Sequence, residues 1–131
     1  MSAGVCAARC KESDLAGRRI GWLIWGLPAG LLIVGIAWSA ARPWLWIPSL
    51  VLAGAACLAN ASRCGRLHCF MTGPLFLLGA LATLFDAIGM VAIDWRWILA
   101  AVVAGTVAAY GLEWTRGRYV GAEPTRERTD R

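Results

Sequence analysis

Apolar residues along this chain gather into four long blocks separated by short polar breaks, with none of the strict alternation of a half-buried strand. The blocks run from about residues 20–41, 44–61, 70–93 and 97–114. Each is close to the roughly 17–25 residues a helix needs to cross a hydrocarbon core about 30 Å thick. Backbone polar groups in lipid must be bonded within their own segment, so such blocks predict helices. Arg42-Pro43 ends the first block and leaves a connection of a few residues, which makes the first two helices antiparallel neighbours. Pro28 lies near the start of the first span, and Gly73-Pro74 fall in the opening turns of the third, where a missing N–H costs least. The pattern predicts an all-α fold, an integral membrane four-helix bundle.

Composition supports the bilayer as solvent. The chain is 59% apolar, against nearly one half in a soluble domain. Of its 8 Trp residues, Trp22, Trp44, Trp46, Trp95, Trp97 and Trp114 flank the blocks, where indoles settle at headgroup level. Charge then predicts orientation. All of the 13 Lys and Arg residues except Arg42 and Arg96 fall in the N-terminal segment, in the break between the second and third blocks, or after the fourth block. Basic flanks are retained in the cytoplasm, so both termini and that break are expected on the cytoplasmic side of the membrane. Residues 1–19 lack the apolar core and small-residue cleavage site of a secretory signal and are read as a cytoplasmic segment carrying a cysteine pair. Residues 116–131, rich in Gly, Pro, Thr and charge, are read as a disordered cytoplasmic tail. The net charge of +5 is scattered over termini and breaks, which gives no nucleic-acid-binding face.

The candidate chemistry lies in the 5 cysteines. Cys6 and Cys10 belong to the N-terminal segment, Cys57 to the cytoplasmic end of the second span, and Cys64 and Cys69 to the break, with His68 between them. In a reducing compartment, paired thiols bind soft metals or exchange disulfides more often than they form structural bridges. Thiolate and imidazole are the donors that thiophilic ions prefer. If the second helix continues about one turn, Cys57, Asn60 and Cys64 share a face. The alternative is that these thiols are small packing residues and His68 a headgroup-level side chain. Asp86 is the one ionisable group well inside a block, so it is a candidate uptake ligand for a cation or, alternatively, a protonated structural acid. Asp94 and Glu113, at span ends, read as boundary charges. Gly26-x-x-x-Gly30 and Ala100, Ala104 and Ala108 are expected to let helix backbones approach closely. No phosphate-binding glycine loop is present, and His68, the 1 histidine, forms no Ser-His-Asp set and excludes bis-histidine haem ligation.

Short helices, little mass outside them, and the Arg63-Cys64-Gly65-Arg66-Leu67-His68-Cys69 core together resemble the small inner-membrane transport proteins of bacterial mercury resistance. The resemblance is one of architecture, and the chain lacks the adjacent cysteine pair found in the first helix of the better-known importers. It implies a non-enzymatic cysteine relay for a thiophilic ion, mercuric ion first, through Cys57, Cys64 and Cys69 to Cys6 and Cys10. Two other expectations stand beside it. One is a membrane thiol-disulfide oxidoreductase. The other is a small accessory subunit, or homo-oligomer, packing its small-residue faces in a larger membrane complex.

Overall fold

The computed structural model describes residues 21–116, so Cys6, Cys10 and the tail beyond Arg116 lie outside the described residues. All regular structure among them is helical. Helix α1 spans Gly21–Ala37, α2 Arg42–Cys64, α3 Leu67–Ala87 and α4 Trp95–Arg116, with a 3₁₀ turn at Ser39–Ala41 before α2. Each helix packs chiefly on its neighbours in sequence, and the α2–α3 interface is the most extensive. Three segments are long and apolar enough to cross a membrane: Ser39–Arg63, Leu67–Ala87 and Trp95–Arg116. Helix α1, at 17 residues, is shorter.

The helix ends differ from the block ends for local reasons. Trp38 adopts an extended conformation, so α1 stops at Ala37 and Pro43 stands in the first turn of α2 instead of terminating α1. Pro suits that position because the first N–H groups of a helix have no partner there. At its other end α2 continues to Cys64, and Gly65 takes a left-handed conformation with φ 62° while its N–H bonds Ala61 O at 2.8 Å. A left-handed glycine is the standard way to close a helix. Only Gly65 and Arg66 then separate α2 from α3. Helix α3 ends at Ala87, before a turn in which Gly89 has φ 73° and bonds Asp86 O, rather than running on to Ile93. Hydropathy misses this end because Ile88, Met90, Val91 and Ile93 continue the apolar run through the turn. Asp94 opens α4 as its cap, its Oδ1 accepting the Arg96 N–H at 2.9 Å.

The bundle buries several polar side chains beside its apolar core and exposes many large apolar ones. The buried set includes Ser49, Asn60, His68, Thr72, Thr83 and Glu113, while Trp22 is 84% and Trp114 92% exposed and Leu78, Val107 and Met90 also face outward. An apolar exterior of this extent fits lipid rather than water. Inside, the polar groups bond backbone: Ser49 Oγ donates to Pro28 O at 2.7 Å and Trp46 Nε1 to Leu32 O at 3.0 Å, tying α2 to α1. Leu50, Ala80 and Val102 bring α2, α3 and α4 into one core, with Leu32 and Phe76 packed on it.

The close backbone approach occurs between α2 and α3, at a glycine pair the small-residue spacing did not single out. A Cβ on Gly54 would meet Leu77 at 2.9 Å and Gly73 O at 3.0 Å, and one on Gly73 would meet Leu58 at 2.8 Å. The expected close-packing faces look outward instead. A Cβ on Gly30 meets nothing within 4 Å, and Ala100, Ala104 and Ala108 are exposed. Gly54→Leu therefore forces α2 and α3 apart and is expected to cost about 1–3 kcal/mol, as overpacking does. Gly30→Ala should be neutral or stabilising by up to about 1 kcal/mol, since alanine is the better helix former. Thermal unfolding in mild detergent checks both, and equal melting temperatures for the two variants would contradict the assignment of the interface.

Candidate functional site

The short α2–α3 turn folds the cysteine-bearing break back onto the bundle. His68 and Cys69, expected in an exposed loop, occupy the first turn of α3 and are buried, Cys69 completely. The physical cause is Gly65: a two-residue reversal starts α3 beside the last turns of α2, so the first side chains of α3 face that helix. Cys57 is buried on α2 and forms one packed cluster with Ala61 and Cys69, which Trp25 of α1 and Phe76 of α3 cover. Both thiols are free, and they pack side by side in this buried cluster. Cys64 is the last residue of α2; its side chain lies outside the described residues.

Around the two sulfurs stands a small polar shell. Asn60 Nδ2 donates to Cys69 Sγ at 3.7 Å. Thr72 Oγ1 lies 3.4 Å from Cys57 Sγ and donates to His68 O at 2.9 Å. Trp25 Nε1 is buried over the cluster with no acceptor among the described residues. His68 Nε2 lies 3.3 Å from Cys69 Sγ, while Nδ1 bonds Glu113 Oε2 from α4. A carboxylate can only accept, so Nδ1 carries the proton of that bond, and in the neutral imidazole Nε2 is the acceptor that faces Cys69 Sγ. The imidazole also stacks on Tyr110 of α4, centroids 4.5 Å apart at 20°. Residues of α2, α3 and α4 thus fix the order carboxylate, imidazole, thiol, thiol.

Glu113 is the residue that sequence reasoning misassigned. It is not a boundary charge but is 7% exposed and paired with His68. The signal that could have found it is its place in the last turn of α4, level with the first turn of α3 in an antiparallel pair. A cavity of about 610 Å³, lined by Arg66, Val107, Tyr110, Gly111, Glu113 and Trp114, opens beside this pair at the same end of the bundle.

Asp86 is not part of this site. It stands in the last turn of α3, at the opposite end of the bundle, exposed, with Oδ1 accepting the Ile93 N–H at 3.0 Å. The case for it as a carboxylate deep in an apolar helix does not hold once α3 ends at Ala87. The structure therefore brings Cys57, Cys69 and His68 together and leaves Asp86 apart. Among the described residues, no three His, Cys, Asp or Glu side chains are grouped so as to hold a metal ion, and Cys57 and Cys69 are the soft donors that pack together.

Comparison with protein families, with curated proteins and with solved structures gives no match for this chain. Its site is read from its own geometry. Glu113→Ala leaves His68 buried without its partner and is expected to destabilise the protein by about 3 kcal/mol. Glu113→Gln keeps an acceptor for Nδ1–H and should cost only about 1 kcal/mol. Unfolding in detergent measures both, and an Ala variant as stable as the parent would show that the pair does not hold α3 to α4.

Proposed function

We propose that this chain is a multi-pass protein of the bacterial inner membrane, with both termini cytoplasmic, that binds a thiophilic metal ion on Cys57 and Cys69 and hands it to cytoplasmic thiols. The observation that carries the reading is the meeting of two free, buried thiols from different helices inside a bundle with an apolar exterior. Helix α1, about 25 Å long at 1.5 Å per residue, supplies the fourth span, with Trp38 and the following 3₁₀ turn reaching the far interface. Arg63, Arg66 and Arg116 mark the thiol end as cytoplasmic, and Arg42 and Arg96 mark the other.

The choice of ion follows from charge. A dithiol that binds a divalent ion forms two metal–sulfur bonds as two S–H bonds break, and two protons leave. The loaded pair is then neutral, which keeps the burial cost low at membrane depth. A monovalent ion on the same thiolates leaves a net negative charge. Soft sulfur donors together with a divalent charge favour mercuric ion as the cargo. Asn60 and His68, each directed at Cys69, hold one sulfur in place, and Cys64 is the last residue of the same helix as Cys57.

A second reading is favoured by one observation, the alignment of Glu113, His68 and Cys69 in the order of orienting group, base and nucleophile. It assigns thiol oxidation: Cys57 and Cys69 join in a disulfide while a quinone takes up the two hydrogens. Trapping thiols in living cells by alkylation separates the readings. A disulfide fraction that follows quinone supply supports the oxidoreductase.

The main test uses a full-length variant with Cys6, Cys10 and Cys64 changed to Ser, so that Cys57 and Cys69 are the remaining thiols. The expected result is one mercuric ion per chain, with affinity falling by about a hundredfold or more when either thiol is changed to Ser, because one soft donor is lost. Cells carrying Cys57→Ser in the otherwise native chain should also lose uptake. Unchanged binding and uptake in those variants would end the metal reading.

A further inference from the structure

At the end of the bundle away from the thiols, a cavity of about 450 Å³ lies between the start of α2, the end of α3 and the start of α4. Its charged lining is two arginines and two aspartates: Arg42, Arg96, Asp86 and Asp94. Among the described residues none of the four is in an ion pair. Local bonds keep them apart instead. Arg42 Nε donates to Gly35 O at 3.0 Å, and its guanidinium lies 4.3 Å from the centroid of the Trp95 ring. The Arg96 guanidinium lies 5.8 Å from the same ring. Trp46, buried and edge-on to Trp95 at 5.9 Å, holds that ring in place. Each aspartate uses Oδ1 for a backbone N–H, Asp86 from Ile93 and Asp94 from Arg96. The Arg42 Nη groups and the second oxygen of each carboxylate are left for a ligand.

Fixed charges of both signs, held apart around one cavity, complement a zwitterion better than they complement a simple anion or cation. Two guanidinium groups flanking an indole suit a phosphate, which accepts several N–H bonds at once. Two carboxylates suit an ammonium that still carries protons to donate, so a primary amine fits better than a quaternary one. The cavity lies where α2 and α4 begin, beside the exposed indoles of Trp44 and Trp97, which belong at headgroup level.

We propose that this cavity binds the headgroup of a zwitterionic phospholipid carrying a primary amine, phosphate against Arg42 and Arg96 and ammonium against Asp86 and Asp94. The inference rests on the reading that the helices span a bilayer and is independent of the thiol chemistry. Bound there, the lipid ties the start of α2 to the α3–α4 turn.

The test is native mass spectrometry of the full-length protein, released from nanodiscs of equal phosphatidylethanolamine and phosphatidylglycerol content, with alkaline carbonate extraction of membranes run alongside. The parent is expected to retain one phosphatidylethanolamine at about tenfold preference over phosphatidylglycerol, a difference of about 1.4 kcal/mol. Arg96→Gln changes an exposed side chain, preserves the fold, and should lower retention several-fold; Arg42→Gln with it should abolish retention. Asp86→Asn with Asp94→Asn keeps both backbone acceptors but removes the charges, and should erase the preference between the two lipids. Equal retention of both lipids by the parent, or an unchanged preference in the Asp86→Asn, Asp94→Asn variant, overturns the proposal. Displacement of the lipid by millimolar inorganic phosphate assigns the site to free phosphate and overturns it as well. A parent that resists carbonate extraction yet shows no preference sinks this inference alone, whereas a parent that carbonate releases from membranes sinks the membrane reading with it.

Discussion

The chain reverses direction between two helices in two residues because both leave the right-handed helical region: Arg66 is extended, and Gly65, at φ 62° and ψ 26°, is left-handed. A Cβ there would crowd the following carbonyl at a cost of roughly 1–2 kcal/mol. Because α3 starts at once with Leu67, its first turn is laid against the last turns of α2, and Cys69 arrives on Cys57 and Asn60. His68, one residue earlier, projects across to Glu113 and Tyr110 of α4. The close approach continues along the pair, where Gly54 and Gly73 leave no room for a side chain. Turn and glycine contact together fix the spacing at which two thiols on different helices can meet.

Helix count and class were legible because hydropathy over a long window reports the environment of a whole segment. Where a helix stops depends on one or two residues, and there the apolar pattern is silent. Gly65 and Gly89 are the examples: each takes a positive φ and ends a helix, yet Gly89 sits inside a run that reads as one continuous span. The error at Gly65 turned buried ligand candidates into loop residues. The error at Gly89 placed Asp86 at a depth it does not have. Spacing rules failed for a related reason. A small-residue stripe shows that a helix face can be approached closely but not which face is approached, and the meander leaves Gly30 and Ala104 on the outside. Glu113 could be placed only by knowing that α3 and α4 are adjacent and antiparallel, which pairs residues 45 positions apart in the chain.

In lipid the hydrophobic effect does not drive helix against helix, since the tails are as apolar as the side chains. What remains is close packing and bonds between polar groups that have no better partner. The interior reflects this. Ser49 and Trp46 tie α2 to backbone carbonyls of α1, Gly54 and Gly73 bring α2 and α3 together, and His68 with Glu113 joins α3 to α4. Each interface has its own such devices. Thr83 and Thr106 are satisfied within their own helices, bonding Gly79 O and Val102 O, and add little between helices.

The two ends of the bundle then differ in kind. At one, sulfur, imidazole and a carboxylate are packed out of reach of solvent and bonded to one another, so a cation that binds there must displace protons and is selected by softness. At the other, guanidinium and carboxylate groups stand around an open cavity, oriented by backbone bonds and an indole, and interact with whatever charged group lies at the surface. A soft ion loses little by leaving water for two thiolates, whereas the hydrated charges at the far end are stable only where water or headgroups reach them. The same division of residues sets the two ends apart, with guanidinium and carboxylate groups around the open cavity and the thiols packed beside the His68–Glu113 pair.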